Sequence, residues 1–449
     1  MENYNRKNFY ISILKIAIPI ALQHTALSFN SIIDNFMVSK LGTYSLAALG
    51  SSNRFLQIFR LLIVGLGSAN IILTAQYFAA KDKNGVKRSL AAGLLTNIVI
   101  SFSALIIYYA FNQKIVNSFS SNLEIREIAK SYLNIAIFTF IAKSVIFSYG
   151  YSLRGIGIVF MKTNLTILTT ILNIILNYLF IYGSYGFPKL GIRGAALSTL
   201  LSESIAALLM LYITYKKDYE VAVKLSELIK VPKNFLIKYI KISLPLGISN
   251  LLWSTGLLFY HNIFGSYGTS SLAAYGLITP LELLLANIFN GLANAATILI
   301  GKELGKKEFN TAYNHAKTIM RIGTLTSLVI GLIVFTFSES IVNLYSNISK
   351  EAAYNAILFL RIYSIFLAVK VFNLVSYAGI LKSGGDSIFL FMLGTSAMWL
   401  IGVPLANIAS YIFKFESYKV YIIINSVEIL IAITSFLRIR SKRWIKNLI

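Results

Sequence analysis

Apolar runs of about 20 residues, each long enough to cross a bilayer as a helix, recur along the whole chain. They fall at roughly 11–37, 52–79, 89–111, 128–152, 163–182 and 192–214, then at 239–263, 273–300, 318–338, 353–380, 388–409 and 420–438. The runs are continuously apolar rather than alternating, and they are too long for the strands of a membrane barrel. Inside a bilayer, backbone N–H and C=O groups must be paired within their own segment, which makes each run a helix. The predicted fold is an all-α integral membrane protein with about twelve transmembrane helices.

The twelve divide into two sets of six. Residues 14–85 and 240–311 carry one pattern twice without a gap. Gly42-Thr43-Tyr44-Ser45-Leu46-Ala47-Ala48-Leu49-Gly50 aligns with Gly268-Thr269-Ser270-Ser271-Leu272-Ala273-Ala274-Tyr275-Gly276. The same offset pairs Lys15-Ile16 with Lys241-Ile242, Pro19 with Pro245, Gly65-Leu66 with Gly291-Leu292, and Asn84 with Asn310. At a slightly larger offset, Tyr149, Leu153, Arg154 and Gly157 meet Tyr377, Leu381, Lys382 and Gly385. The chain reads as two pseudo-symmetric six-helix bundles, 1–214 and 238–449, joined by residues 215–237. That joint is rich in Lys and broken by Pro232, and it is expected to form an amphipathic helix at the membrane surface. Duplicated bundles are a common plan for secondary transporters, with the substrate site between the halves.

Composition narrows the class. Of 449 residues, 56% are hydrophobic and 13% charged, with a mean hydropathy of +0.70. That is far too apolar for a soluble domain of this size. There is no cysteine, so neither a disulfide framework nor a thiolate metal site is available. His24, His261 and His315 have no metal-ligand spacing. The polar start runs into the first apolar segment without a cleavage pattern, so a retained helix is expected rather than a signal peptide. The net charge of +24 does not point to nucleic acid. Lys and Arg collect in every second loop: Lys81 to Arg88, Arg154 and Lys162, Lys216 to Lys241, Lys302 to Lys307, and Arg438 to Lys446. By the positive-inside rule those loops, and both termini, are cytoplasmic. The expected location is the inner (plasma) membrane, with anionic lipid heads as the partners of these charges.

Polar residues inside the spans mark the chemistry, because a charge in the hydrocarbon costs several kcal/mol and faces protein or water instead. Gln23, Asn30 and Asp34 share one face of the first span. Thr166, Thr170, Asn173 and Asn177 stripe the fifth, Thr199, Ser202 and Glu203 the sixth, and Asn53, Gln57 and Arg60 the second. For Arg60, pairing with Asp34 or Glu203 and reaching outward to lipid heads both stay open. In the second half, Glu282 precedes Asn287, Asn290 and Asn294, while Asn250, Trp253 and His261 occupy the seventh span. Lys143 and Lys370 lie inside the fourth and tenth spans and either snorkel or neutralise a buried carboxylate.

Several of these segments resemble the multidrug and toxic compound extrusion (MATE) family of the MOP flippase superfamily. Ile32-Ile33-Asp34-Asn35-Phe36-Met37-Val38, then Leu41-Gly42, is similar to its first-helix motif. Asn173-Ile174-Ile175-Leu176-Asn177-Tyr178-Leu179-Phe180-Ile181, with Gly191-Ile192-Arg193-Gly194-Ala195-Ala196 after it, resembles its fifth helix and the start of its sixth. Leu153-Arg154-Gly155-Ile156-Gly157 and Leu381-Lys382-Ser383-Gly384-Gly385-Asp386 resemble the family's paired cytoplasmic loops, and the tail Lys442-Arg443-Trp444 is like that of many bacterial members. The resemblance implies two bundles in a V shape, alternating access, and cation-driven export of organic cations and other amphiphiles. It implies that Asp34 is the carboxylate of H⁺ or Na⁺ coupling and that Asn173 is a polar partner. Asn177 stands where many members carry Asp, which removes a titratable group; Glu203 is the candidate substitute. The seventh-helix carboxylate of some subgroups is absent, with Asn250 and Trp253 there. So is the tenth-helix one, where Val371 stands beside Lys370. Asp386 is expected to cap the eleventh span rather than to take part in transport.

The expected function is a secondary antiporter, not an enzyme, with no cofactor beyond the coupling ion. Asp34, Asn173, Asn177, Thr199 and Glu203 form the cation-coupling set, with Na⁺ placed at Asp34, Asn173 and Asn177 if sodium is the ion. Gln23, Asn30, Gln57, Arg60, Asn250, Glu282 and Asn287 are the expected substrate-cavity residues. Small organic cations and amphiphiles are the expected partners, and nothing in the chain requires more than a monomer. A lipid-linked saccharide flippase of the same superfamily is the first alternative, to be judged by whether Arg54, Arg60, Lys143 and Lys370 converge on one cavity. A membrane-embedded enzyme is the second, and it lacks any HExxH, cysteine nucleophile or Ser/His/Asp grouping. A channel lacks a repeated filter-like loop.

Overall fold

The computed structural model describes residues 2–224, 227–228, 230–345 and 348–449, with side chains from Lys7 onward. Among them there is no strand. The first half contains α1 (Glu2–Ser39), α2 (Thr43–Ala79), α3 (Lys83–Asn117), α4 (Leu123–Ala136), α5 (Thr139–Ile156), α6 (Phe160–Tyr182) and α7 (Ile192–Lys216). The second contains α8 (Lys233–Ser266), α9 (Thr269–Gly305), α10 (Phe309–Thr336), the short α11 (Ser338–Val342), α12 (Lys350–Leu381), α13 (Ser387–Ile412) and α14 (Ser417–Arg440). Eleven of the described helices are long and apolar enough to cross a membrane, and the pair α4–α5, bent by 46°, makes a twelfth span. The chain is thus a multi-pass, all-α membrane protein. The bend has a local cause. The Thr139 hydroxyl donates to Ala136 O (2.7 Å), and Phe140 and Ile141 bond back three residues instead of four, which tightens and turns the backbone there. The amphipathic helix expected over 215–237 does not form as such: residues 217–224 are turns and irregular chain between Lys216 and Lys233, the ends of the flanking helices, while residues 225, 226 and 229 lie outside the described residues.

Two compact units contain the helices. One comprises Leu22–Gly247; the other comprises residues up to Ala21 together with Ile248–Leu448. The divisions therefore fall inside α1 and inside α8, two residues after Pro19 and Pro245. This accounts for the repeated glycines. At Gly65 of α2 a Cβ would lie 2.4 Å from Gly247 Cα in the opening half of α8. At Gly291 of α9 it would lie 2.2 Å from Ala17 O in the opening half of α1. Each pair of helices meets backbone to backbone, which only glycine allows. Gly42 and Gly268, with φ of 105° and 93°, stand immediately before α2 and α9 in a conformation that disfavours side chains.

The N-terminal unit is held by apolar packing and by buried polar glue. Val38, Ile63, Tyr108, Leu133 and Phe140 belong to one buried cluster. Between α3 and α5, Asn97 donates to the Ser148 hydroxyl (2.9 Å), and Ser101 shares a hydrogen bond with Ser144 (2.6 Å). Polar pairs of this kind join helices where lipid offers no competing partner.

Two expectations need correction. Arg154 and Lys162 are not lipid-facing loop charges: each side chain is 2% exposed. The chain near them is helix end and helix start, so hydropathy places them at an interface while packing folds them inward. Asp386 does stand just before α13, but its carboxylate makes no capping bond. It takes Arg438 Nε (2.8 Å), Arg438 Nη2 (3.1 Å) and Lys446 Nζ (3.1 Å) instead, because two cations outweigh a single backbone amide.

Candidate functional site

Six helices of the N-terminal unit, α1, α2, α4, α5, α6 and α7, line a cavity of about 270 Å³. Spacing alone explains the convergence. On α6, Lys162, Thr166, Thr169 or Thr170, Asn173 and Asn177 recur every three or four residues along one face. On α1, Gln23, Asn30 and Asp34, at spacings of seven and four, also share one face. Gln57 and Arg60 of α2, Lys143 of α5, and Thr199 and Glu203 of α7 complete the lining.

At one end stands Asp34. Its Oδ1 accepts from Asn177 Nδ2 (2.6 Å) and its Oδ2 from Asn30 Nδ2 (3.2 Å). Asn177 Nδ2 also donates to Asn173 Oδ1 (3.1 Å), and Asn173 Nδ2 to Thr199 Oγ1 (3.3 Å). The carboxylate thus heads a chain of amides running across α6 to α7. The Oδ1 atoms of Asn30 and Asn177 are buried without a hydrogen-bond partner. One carboxylate, amide oxygens and a hydroxyl are the donors a hard monovalent cation uses, so the set fits Na⁺ as well as a proton. Among the described residues no three His, Cys, Asp or Glu side chains cluster as a metal site; any Na⁺ binding here relies on the amides.

Midway, Lys143 Nζ lies 4.0 Å from Glu203 Oε1. Lys143 therefore neutralises a carboxylate rather than snorkelling. Arg60 lines the same cavity, and among the described residues no carboxylate lies within 4.0 Å of it. At the far end, Gln23 accepts from Arg154 Nη2, and Lys162 projects over Phe147 and Tyr151.

The C-terminal unit holds a smaller cavity of about 60 Å³, lined by Trp253, Glu282, Lys370, Tyr421 and Glu428 among others. Tyr421 OH donates to Glu282 Oε1. Asn373 Nδ2 donates to Glu428 Oε2 (2.7 Å), and Lys370 Nζ lies 3.7 Å from Glu428 Oε1. Lys370–Glu428 is the duplicate of Lys143–Glu203: a lysine of the fourth span of each half meets a glutamate of the sixth.

Of the residues singled out in the sequence, Asp34, Asn173, Asn177, Thr199, Glu203, Gln23, Asn30, Gln57 and Arg60 come together around the first cavity. Glu282 belongs instead to the cavity of the other unit. Asn250 and Asn287 line neither: Asn250 lies a turn before Trp253, and Asn287 sits about 140° round α9 from Glu282. The test set for the flippase alternative divides. Arg60 and Lys143 reach the first cavity, Lys370 the second, and Arg54 is exposed and lines neither. Sequence reading missed Lys162 and Glu428. For Glu428 the signal was present, since the repeat offset carries Glu203 to within a residue of it. For Lys162 it was the helical register with Thr166 and Asn173.

Comparison with known proteins agrees with this architecture. The sequence model of the MatE family matches residues 19–179 and 245–408, one stretch in each half. The probable multidrug resistance protein YoeA of Bacillus subtilis is 24% identical over 436 residues, covering 94% of this chain and 91% of that protein. The probable multidrug resistance protein NorM of Thermotoga maritima is 25% identical over 405 residues, covering 88% and 84%. A crystal structure of MATE in complex with MaL6 superposes with a TM-score of 0.88 at 22% identity, covering 96% of this chain and 95% of that one. Matched in sequence across both halves and in fold along nearly its whole length, the chain belongs to the MATE family of membrane transporters.

Proposed function

We propose that the protein is a secondary antiporter that exports organic cations and other amphiphilic compounds from the cell in exchange for H⁺ or Na⁺, and that Asp34 binds the driving ion. The names of the curated relatives support multidrug export. The observation that carries the reading is the carboxylate of Asp34 inside a membrane span, at a cavity of about 270 Å³, with the amides of Asn30 and Asn177 donating to it.

The coupling rests on what those amides do. An ionised Asp34 accepts the N–H groups of Asn30 and Asn177 and offers negative charge to a cationic substrate. A proton neutralises the carboxylate and removes that attraction. A sodium ion does the same and turns the amide oxygens, now without partners, toward itself. Either ion weakens the charge-assisted Asp34–Asn177 link between α1 and α6, so one packing of the N-terminal unit is favoured with the ion and another without it. The ion shifts the balance only by its difference in affinity for the two. One charge moving through 100 mV supplies about 2.3 kcal/mol, roughly a fifty-fold substrate gradient. In this reading the basic loops face the cytoplasm and the protein sits in the plasma membrane as a monomer.

The test is efflux of a cationic dye from proteoliposomes under separately imposed sodium and pH gradients. Wild type responds to one of them. Asp34→Asn keeps the shape of the side chain and loses the response, while Glu203→Gln weakens it. Gradient-driven efflux at the wild-type rate in Asp34→Asn overturns the assignment.

A further inference from the structure

The first cavity has two poles, and among the described residues no carboxylate touches the ammonium at its basic pole. Lys162 and Asn173 are eleven residues apart on one face of α6, about 16 Å of helix rise. Gln23 and Asp34 are eleven apart on α1. Both helices therefore carry the acidic end of the cavity near Asp34 and the basic end near Lys162. Lys162 is 2% exposed and lines the cavity. Among the described residues no carboxylate lies within 4.0 Å of its ammonium and no hydrogen-bond acceptor is within reach. Its neighbours are the rings of Tyr151 (4.0 Å) and Phe147 (4.5 Å). Close by, the equally buried Arg154 spends one nitrogen on Gln23 and leaves its Nε unpartnered. His24 stands beside Gln23. The acid nearest this end along the cavity, Glu203, is already engaged by Lys143.

The bland alternative is that cation–π contact satisfies the lysine. Such contacts contribute about 0.5–2 kcal/mol, whereas an uncompensated buried charge costs several. The backbone also makes room for it: a Cβ at Gly150 would lie 2.4 Å from Lys162 Cδ. The other cavity shows the opposite balance, with Glu282 and Glu428 against Lys370.

We infer that the Lys162 end of this cavity is a binding site for an anionic group, carboxylate or phosphate, carried by an elongated amphiphile whose remainder lies along Thr166 and Thr170 toward Asp34. This deepens the exporter reading by naming a second recognition element for its substrate. It rests on that reading only in treating the bound molecule as cargo.

The experiment measures binding without any ion gradient. Purified full-length protein in a neutral detergent is titrated with dansylaminoundecanoic acid and, separately, with its methyl ester. The wild type should hold the acid about 10- to 100-fold more tightly than the ester, the scale of one hydrogen bond to a charged group. Lys162→Gln should abolish that preference and leave the ester's affinity unchanged, which also reports an intact fold. Lys162→Arg should keep the preference, and so should Arg54→Gln, which removes a basic residue outside the cavity. Phosphatidylglycerol added as competitor identifies the source: displacement of the acid assigns the site to a lipid headgroup, and retention assigns it to a carboxylate solute. Equal affinity for acid and ester in the wild type overturns the proposal whatever the variants do. So does an undiminished preference in Lys162→Gln. Neither result touches cation-driven dye efflux through Asp34, which fails or stands on its own assay.

Discussion

Alanine at Gly65 and at Gly50, both in α2, should change stability in opposite directions. At Gly65 the added Cβ lies 2.4 Å from Gly247 Cα and 2.8 Å from its N, whereas carbon contacts settle at about 3.5–4.0 Å. The helices must part by more than about 1 Å, and both opposing atoms are backbone, with no side chain to swing aside. Overpacking of this kind costs about 1–3 kcal/mol, against which the better helix propensity of alanine returns about 0.5–1. Gly291 is the same case in the other unit, with the Cβ 2.2 Å from Ala17 O. Gly50 has nothing within 4 Å, so Gly50→Ala keeps the propensity gain and has no clash. Heating each variant in detergent and measuring the surviving monodisperse fraction by size-exclusion chromatography gives the order. Gly50→Ala should melt at or above wild type, and Gly65→Ala and Gly291→Ala well below it. Equal melting of Gly65→Ala and Gly50→Ala would refute the claim that α2 and α8 meet backbone to backbone.

The charged groups outside the spans give two further outcomes. Asp386→Asn removes the partner of Arg438 and Lys446, whose side chains are 21% and 47% exposed. Solvent screening reduces the loss from that of a fully buried pair to about 1–3 kcal/mol, to be read as a lower melting temperature and faster proteolysis of the tail after Arg440. Glu227 accepts from the Lys224 backbone N–H (2.8 Å) and from Lys87 Nζ (3.0 Å), and these hold its carboxyl below the ordinary value of 4.5. Its stabilising effect is complete above that value and is lost as the pH falls through the lowered one. The side chain is more than a third exposed, so Glu227→Gln should cost less than about 1 kcal/mol at pH 7. The gap to wild type should close on acidification, and a gap that widens toward pH 4 would contradict the pairing.

The spans were legible because the bilayer imposes one rule on every segment, and the structure extends most of the runs by only a few residues at each end. The convergence of Asp34, Asn173, Asn177, Thr199 and Glu203 on one region was legible for a related reason. A polar side chain in a membrane helix needs a protein partner, and spacing along α1, α6 and α7 says which of them share a face. What the sequence conceals is which helix faces which. Arg154 and Lys162 sit at segment ends, where hydropathy cannot tell a lipid-facing charge from one folded inward. Asn250 and Asn287 are polar residues in spans like the rest, yet their rotation and depth keep them out of both cavities. Glu428 was hidden only because the repeat is weaker in the second part of each half; the structure restores the symmetry by pairing it with Lys370.

The chain changes unit inside α1 and α8, and this bears on how the gene can be divided. A cut in the connection between α7 and α8 does not give two self-sufficient pieces. The front piece lacks residues up to Gly247 that complete its own unit, and the back piece lacks the stretch ending at Ala21. Each fragment is missing a strut that only the other supplies. Complementation by co-expression would therefore depend on each fragment donating the opening stretch of its first helix to the other's unit.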